Sequence, residues 1–313
     1  MMKQKRWRPI MLMILTVLLV MPLIWVANNY IALEKALDKM TTTTQSTEEI
    51  TSVVSAAPQK DIVNDEDELQ PFSVLLLGVD ERDNDVGRSD TMIVVTVNPA
   101  HGTMKMLSLP RDTRTKIIGR GTIEKMNHAY AYGGVDMAVA TVENFLQIPI
   151  DFYVQVNMEG FLQLVDTFDG VTVQNDYALT YKQFMFAEGP ITLSGEEALV
   201  YSRIRYEDPR GDFGRQTRQR LLLQAILAEA KHPATVLLKL DNMLAVLGDN
   251  IRMNFTTEQL LQLIPRYAAF DEEIEQLQLQ NGHGETIDGL WYYIADEQER
   301  LDVQQKLLAH LQQ

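Results

Sequence analysis

The sequence predicts an α/β domain of three layers, in which helices cover both faces of a central mixed β-sheet, preceded by one transmembrane helix. Apolar runs of strand length alternate with amphipathic segments of helix length, without an internal repeat. The turn at residues 98–102 joins two of these runs into a hairpin, which argues against a purely parallel sheet. An apolar stretch directly after a basic N-terminus has about the length of a bilayer span.

Composition and charge limit the classes of function. With 313 residues, 46% of them hydrophobic and 23% charged, the chain has an ordinary globular composition and enough residues for a sizeable core. The formal net charge of -15 argues against a nucleic-acid partner, because nucleic-acid-binding proteins normally carry a basic field. The chain has no cysteine, which excludes disulfides, a thiol nucleophile and cysteine-ligated zinc.

The N-terminus is predicted to be a membrane anchor. Residues 1–9 form a short basic tail, and residues 10–27 are apolar except for Thr16 and Pro22. Because basic residues stay on the cytoplasmic side, the rest of the chain is expected outside the cell membrane. A cleaved signal peptide is the alternative, but residues 25–29 lack a small-x-small cleavage site, which favours an uncleaved single-pass anchor.

Residues 28–70 are predicted to form an extracellular juxtamembrane helix and a flexible linker. An amphipathic pattern over residues 33–40 predicts a helix, whereas the threonines and acids of residues 41–69 have little apolar surface to bury. The folded extracellular domain is therefore predicted to span residues 71–313.

Strands and helices alternate along this domain. Apolar runs predict strands at residues 72–79, 92–97, 103–109, 152–156, 171–173, 274–279 and 291–294. Helical spacing predicts helices at residues 125–131, 135–145, 158–168, 195–201, 216–230, 235–247, 257–267 and 296–311. Ser194 followed by Glu197 matches a capping box, which marks the start of the helix at residue 195.

A first polar cluster lies at the ends of the first predicted strands, where α/β sheets place their ligands. Asp80 follows one strand and Asp90 precedes the next, so that their carboxylates could share a Mg²⁺ ion. The alternative is that both are turn and cap residues without a ligand. Arg88 and Arg111 beside them favour a site for a divalent cation together with a phosphate, since a bare acid pair would not need them.

A second cluster is basic. Arg203 and Arg205 alternate as on an extended segment, and Arg215, Arg218 and Gln219 share one helical face near the start of a helix. Guanidinium groups bind phosphate oxygens in bidentate fashion, and a helix N-terminus adds N–H donors. A solvated, salt-bridged surface is the alternative. The helix macrodipole disfavours cations near a helix N-terminus. Arginines at this position therefore favour the interpretation that an anion binds there.

Two further features have structural alternatives. His128 is a candidate general base, but a lone histidine on a helix is more often structural. Gly133 and Gly134 could form a phosphate-binding loop or simply a break in a helix. The sequence lacks a Ser-His-Asp order and a His-x-x-x-His spacing, which argues against a hydrolase triad and a zinc site.

Taken together, the motifs resemble those of the LytR-CpsA-Psr family of cell-wall glycopolymer transferases. In this chain they are LLGVD at 76–80, RSDTM at 88–92, SLPRDT at 108–113, KMNHAYAYGG at 125–134, LVD at 164–166 with GV at 170–171, LSGEEAL at 193–199, and the arginine-rich stretch 203–219. Their order and spacing hold over about residues 75–225. The sequence departs from the family at Phe168–Gly170, where Gly-Gly is usual, and at Met126, where isoleucine is common.

The resemblance implies a Gram-positive membrane enzyme that takes an undecaprenyl-pyrophosphate-linked polymer, such as wall teichoic acid or capsular polysaccharide. It would transfer the polymer with its sugar-proximal phosphate onto a muramic-acid hydroxyl of peptidoglycan and release undecaprenyl phosphate, with Mg²⁺ as cofactor. Two alternatives use the same residues: a non-catalytic, membrane-anchored sensor of envelope precursors, and a hydrolase that releases the polymer to water.

The resemblance also implies roles for individual residues. Asp80 and Asp90 would bind the metal, and Arg111 would be catalytic together with Asp112 or Asp80 as the general base. The pyrophosphate would be bound by Arg88, Arg111, Arg203, Arg205, Arg215 and Gln219, with Arg218 nearby.

Overall fold

The computed structural model describes residues 31, 34–36, 38–40, 60–63, 68–80, 87–231, 239, 242–243, 245–246, 248–256, 258–260, 262–263 and 273–312. The predicted basic tail and the predicted transmembrane segment at residues 10–27 lie outside this part of the chain. None of the helices in the described part combines the length and the apolar character that a bilayer crossing requires.

A six-stranded mixed sheet forms the centre of the domain. Its strands are β1 (Phe72–Val79), β2 (Ser89–Asn98), β3 (Thr103–Ser108), β6 (Phe152–Asn157), β11 (Ile251–Met253) and β12 (Glu273–Leu277). They lie in the order β11-β6-β1-β2-β3-β12. Strand β2 is antiparallel to both β1 and β3, whereas β1 is parallel to β6 and β3 is parallel to β12. The predicted hairpin and the predicted mixed sheet are both confirmed.

Helices cover both faces of this sheet. They are α1 (His128–Leu146), α2 (Met158–Thr167), α3 (Gly195–Arg203), α4 (Asp212–Ala230) and α5 (Glu297–Gln312). Along β1, Leu75 and Leu77 pack with α1 and α5, whereas Phe72 and Val74 face the side on which α4 lies. This alternation follows from the two-residue period of a strand. The predicted three-layer architecture is confirmed.

Four pairs of short strands complete the fold, and most of them escaped the sequence analysis. They are β4 (Arg114–Lys116) with β5 (Ile123–Lys125), β7 (Val171–Asn175) with β10 (Gly189–Leu193), β8 (Leu179–Tyr181) with β9 (Phe184–Phe186), and β13 (His283–Ile287) with β14 (Leu290–Ile294). All eight have only three to five residues, and those that the sequence analysis missed lack the longer apolar run that marks a buried strand.

The predicted helix boundaries need two corrections. The helix predicted from residue 125 begins at His128, because Lys125 belongs to β5 and pairs with Arg114. The helix predicted from residue 216 begins earlier, because α4 starts at Asp212. Gly133 and Gly134 have non-helical backbone angles inside α1. They therefore form a break in the helix, which is one of the two alternatives given for them by the sequence analysis.

Several predicted segments lie partly outside the described residues. The predicted helices at 235–247 and 257–267 are described only at 239, 242–243, 245–246, 258–260 and 262–263, all of which are helical. The described residues between 34 and 40 are also helical, and Met40 packs against Ile251.

Some residues of the predicted linker pack against the domain. Ile62 is 1% exposed and belongs to the same core cluster as Phe72. The Lys60 Nζ donates to the Pro71 carbonyl at 2.7 Å, and the Gln259 Nε2 donates to the Lys60 carbonyl at 2.8 Å. Packing of the domain therefore includes residues before the predicted start at 71.

A buried histidine joins α5 to the sheet. The His310 Nδ1 lies 2.8 Å from the Thr96 Oγ1, its Nε2 lies 2.9 Å from the Thr103 Oγ1, and its carbonyl accepts from the Asn98 Nδ2 at 3.0 Å. Burial, aided by the nearby charge of Lys105, lowers the pKa of His310 to about 4.

The domain is therefore expected to lose stability as the pH falls from 6.5 to about 4, because in this window His310 binds a proton in the unfolded chain but not in the folded one. At pH 5 the loss from this residue is about 2 kcal/mol relative to pH 7. Urea unfolding at both pH values should show a smaller difference for His310→Gln than for the wild type. Exposed His283→Gln is the control, and an unchanged pH dependence in His310→Gln would contradict the assignment.

Candidate active site

A cavity of about 680 Å³ separates α4 from the central sheet. Its walls are apolar and come mainly from β1, β2, β3, β6 and α4: Val74, Leu76, Ile93, Val95, Met104, Met106, Val154, Val156, Leu222, Leu223, Ile226 and Leu227. Strand alternation marks many of these side chains as buried, but a cavity wall and a solid core give the same apolar pattern. An apolar cavity of this volume suits a hydrocarbon group.

Polar side chains gather at one end of the cavity. Six of those that line it were assigned to the site by the sequence analysis, namely Asp90, Arg111, Arg203, Arg205, Arg215 and Gln219. Thr91, Asn157, Ser202, Tyr206 and Glu207 also line the cavity. The six come from β2, the loop after β3, the end of α3, the loop that follows it and the first turns of α4. The fold therefore brings both predicted clusters to one place.

Arg111 is held at this mouth by Asp90. The Arg111 Nη1 lies 2.7 Å from the Asp90 Oδ1, and its Nε lies 3.8 Å from the Asp112 Oδ2. Burial lowers the pKa of Arg111, but the charge of Asp90 and its hydrogen bond outweigh this and raise it. The buried Nε has no hydrogen-bond acceptor among the described residues, a feature more typical of functional than of structural side chains.

Asp112 lies just behind the mouth and does not line the cavity. The Lys125 Nζ lies 2.8 Å from the Asp112 Oδ1, a contact that the sequence analysis missed. The Asp112 carbonyl accepts a hydrogen bond from the Tyr293 N–H at 3.0 Å. The Asp112 carboxylate therefore contacts two cationic side chains, Lys125 and Arg111.

Asp80 lies at the same end of the sheet as Asp90. Their strands are adjacent, with Gly78 opposite Thr91, and the register shifts just before Asp80. The Asp80 Oδ1 lies 3.7 Å from the Arg203 Nη2. In the described part of the chain, no group of three or more acidic or histidine side chains is placed to hold a metal. Two carboxylates fit Mg²⁺, which keeps several waters and shares substrate phosphate oxygens.

Asp212 organises the basic side of the mouth, although the sequence analysis assigned it no role. Its Oδ1 accepts from the Arg215 Nε at 2.9 Å and lies 3.6 Å from the Arg205 Nε. Burial raises the pKa of Asp212, but the charges of Arg215 and Arg205 outweigh this and lower it. The Arg215 Nη1 also donates to the Asp90 carbonyl at 3.0 Å, which ties α4 to β2.

The remaining predicted residues of the site lie around this group. The Gln219 Nε2 donates to the Ser202 carbonyl at 3.3 Å, and both residues line the cavity. Arg203 is half exposed at the rim. Arg88 is exposed and does not line the cavity, and its carbonyl accepts from the Asp80 N–H at 3.4 Å.

The predicted role of Arg218 in pyrophosphate binding requires a correction, because Arg218 does not line the cavity. Its side chain is 1% exposed, and its guanidinium contacts the Asp208 carboxylate, the Ile204 carbonyl and, at 2.9 Å from Nε, the Tyr201 carbonyl. Gly214 leaves room for this pair, because a Cβ there would lie 2.1 Å from the Asp208 Oδ2. Arg218 therefore holds the loop between α3 and α4 and is not placed to bind phosphate.

His128 has a structural environment. Its Nδ1 lies 2.9 Å from the Glu124 Oε2, which also accepts from the Tyr132 hydroxyl at 2.6 Å. The hydrogen bond from Tyr132 is the main cause that lowers the pKa of Glu124 to about 2. His128 does not line the cavity, which favours the structural reading over the general base.

The fold and the site define an α/β protein with an apolar cavity whose mouth carries arginines and two carboxylates, an arrangement suited to an amphiphile with an anionic head group. Comparison with known sequences agrees. The model of the LytR_cpsA_psr family matches residues 30–309, and the chain belongs to this family.

Individual relatives and solved structures are similar over most of the chain. A protein of Bacillus subtilis (strain 168), named polyisoprenyl-teichoic acid–peptidoglycan teichoic acid transferase TagU, is 48% identical over 77% of this chain and 78% of its own length. The crystal structure of B. subtilis TagU has a TM-score of 0.63 at 43% identity, covering 78% of this chain and 98% of that one. A structure of TagT bound to LI-WTA has a TM-score of 0.67 at 33% identity, covering 83% and 96%.

Proposed function

We propose that this protein transfers an anionic glycopolymer of the teichoic-acid type from a polyisoprenyl pyrophosphate carrier onto peptidoglycan. The observation that carries the proposal is the apolar cavity that ends in Asp90, Arg111, Arg205 and Arg215. A polyisoprenyl pyrophosphate has the same division into a long apolar chain and a charged head. The relatives named as teichoic acid transferases support the same activity.

In this proposal the arginines bind and orient the pyrophosphate. The acceptor hydroxyl oxygen attacks the sugar-proximal phosphorus, and the bond from that phosphorus to the oxygen of the polyisoprenyl phosphate breaks. Arg111 and Arg215 stabilise the negative charge that develops on the leaving oxygen, which is the main requirement of phosphoryl transfer. The acceptor's proton passes to a carboxylate, with Asp112 and Asp80 as the candidates, and polyisoprenyl phosphate is released.

Mg²⁺ is proposed as the cofactor, with Asp80 and Asp90 as its protein ligands. When bound there, it would neutralise charge on the pyrophosphate oxygens. We also propose that residues 10–27 anchor the chain in the cell membrane, with the N-terminus in the cytoplasm and the domain outside. An anchor would raise the effective concentration of a lipid substrate confined to the same membrane.

Transfer is expected to require both Mg²⁺ and Asp90. The full-length chain in detergent, given a labelled polyisoprenyl-pyrophosphate disaccharide, uncross-linked peptidoglycan and Mg²⁺, should place label in the insoluble wall fraction. EDTA or Asp90→Asn should reduce this about 100-fold, because removal of a key charge stabiliser costs about 3 kcal/mol. Soluble labelled phosphosugar would instead indicate hydrolysis, and binding of the donor without any product would indicate a sensor.

The cavity should bind the polyisoprenyl chain. Val95 lines the cavity, and Val95→Trp is expected to fill part of it. Displacing two methylene groups of the chain costs about 1.6 kcal/mol, which weakens binding more than tenfold. The KM for a long-chain donor should therefore rise, whereas that for a donor with a very short chain should not.

The control for this variant is Ile123→Trp, which adds the same side chain at an exposed position of β5. Thermal unfolding should first establish that Val95→Trp is folded. An equal loss with long-chain and short-chain donors would argue against the cavity as the chain's binding site.

A further inference from the structure

Two exposed aromatic side chains flank Arg205 at the cavity mouth. Tyr206 is 88% exposed and Trp291 is 41% exposed. The Arg205 Cζ lies 5.5 Å from the centroid of the Tyr206 ring and 5.7 Å from that of the Trp291 ring. We refer to Tyr206, Arg205 and Trp291 together as the aromatic platform. None of the roles assigned above involves either ring.

The position of Trp291 is set by its hairpin. A Cβ on Gly284 of β13 would lie 2.7 Å from the Trp291 Nε1, so the indole lies across a strand position that only glycine leaves open. The same hairpin is joined to the loop after β3 that carries Arg111 and Asp112, because Tyr293 pairs with Thr113 and its N–H donates to the Asp112 carbonyl. The platform therefore has a defined position relative to Arg111 and Asp112.

The chemistry of the platform suits a sugar ring. Large exposed aromatic side chains next to a functional site are typical of binding surfaces. The apolar C–H face of a pyranose packs on an aromatic face, while a guanidinium donates to hydroxyl or amide oxygens at the ring edge. The Arg205 guanidinium lies close to both rings and can supply such donors.

We propose that the aromatic platform binds a sugar ring of the acceptor glycan strand. This inference rests on the proposed function. In phosphoryl transfer the attacking and leaving oxygens lie roughly in line. The leaving polyisoprenyl phosphate points into the cavity, so the acceptor must approach from the outer side of the mouth. Tyr206 and Trp291 are exposed to solvent beside Arg205, which lines the mouth.

Binding can be tested without catalysis. The chain has three tryptophans, and Trp7→Phe with Trp25→Phe leaves Trp291 as its single tryptophan, whose emission can be excited selectively. Titration with soluble peptidoglycan glycan strands, which carry neither lipid nor pyrophosphate, should change the Trp291 emission in a saturable manner. Tyr206→Ala in the same background should weaken the glycan affinity.

Variants of Trp291 separate an aromatic contact from a general effect on the hairpin. Loss of one aromatic stacking contact should weaken glycan binding by about tenfold in Trp291→Ala, measured by calorimetry. Trp291→Phe should keep most of the affinity, and Leu290→Ala, which removes an exposed aliphatic side chain from the same hairpin, should keep nearly all of it. In transfer assays Trp291→Ala should raise the KM for acceptor and leave the KM for donor unchanged.

Unchanged glycan binding in folded Trp291→Ala and Tyr206→Ala would overturn the inference. A raised donor KM with an unchanged acceptor KM would also overturn it and assign the platform to the donor's sugar. Failure of the proposed function alone gives a different result. The wild-type protein would then bind glycan and Trp291→Ala would weaken this binding, but the wild-type protein would transfer no polymer.

Discussion

Arg111→Ala is expected to reduce transfer by about 100- to 1,000-fold while the domain stays folded, because it removes a fixed positive charge from the place where negative charge develops. The Asp90 Oδ1 lies 2.7 Å from the Arg111 Nη1 and holds the guanidinium in place. The positive charge therefore does not have to move during the reaction. The measurement is kcat for label transferred to the wall, together with the melting temperature. Arg111→Lys should recover only part of the rate, since an ammonium cannot donate in bidentate fashion.

The matched control for this prediction is Arg300→Ala. Arg300 also forms an ion pair, with Glu297, but it lies on α5 on the opposite face of the sheet from the cavity. Its loss should leave the transfer rate close to that of the wild type, because its guanidinium contacts Glu297 and the Phe145 carbonyl and no residue of the cavity mouth. Wild-type turnover in Arg111→Ala would remove this residue from the mechanism.

Asp208→Asn is expected to destabilise the domain by about 3–5 kcal/mol, because it leaves the charge of Arg218 buried without a counter-charge. Both side chains of this ion pair are at most 1% exposed. For a domain of this size the loss corresponds to a fall in melting temperature of about 10 °C or more. Differential scanning calorimetry would measure it directly.

The control for the buried pair is Arg210→Ala. Arg210 also pairs with Asp208, but its own side chain is 30% exposed, and its removal leaves Arg218 in place. We expect its loss to cost about 1 kcal/mol. A small effect of Asp208→Asn on stability, combined with a large rise in the donor KM, would contradict the structural role and restore the predicted phosphate role of Arg218.

The contrast between Arg215 and Arg218 shows what helical spacing can and cannot predict. Spacing correctly indicates that both arginines project from neighbouring parts of one helix. It does not indicate which acceptor each one meets, because Asp208 lies in the loop before α4 and Asp212 is the first residue of α4, and the path of the chain there depends on tertiary packing. Both carboxylates therefore escaped the sequence analysis, although one of them organises the basic side of the mouth.

The strands that carry the site were predicted well for a physical reason. Strands β1, β2 and β3 are buried on both faces, so their apolar runs end abruptly at polar residues such as Asp80 and Asp90. The cavity was not predictable in the same way. Whether apolar side chains meet or leave a space depends on the distance between α4 and the sheet, and this distance depends on contacts far apart in the sequence.

Helix α4 supplies both a wall of the cavity and part of the anion site. Leu222 and Ile226 line the apolar part, whereas Arg215 and Gln219 of the same rigid element line the mouth. A hydrocarbon chain that seats against the later turns therefore also fixes where the first turn holds its guanidinium. The hydrocarbon chain does not react, but its binding energy can in this way help to position the arginine that acts at the phosphorus. That energy then lowers the activation barrier and does more than tighten the ground-state complex.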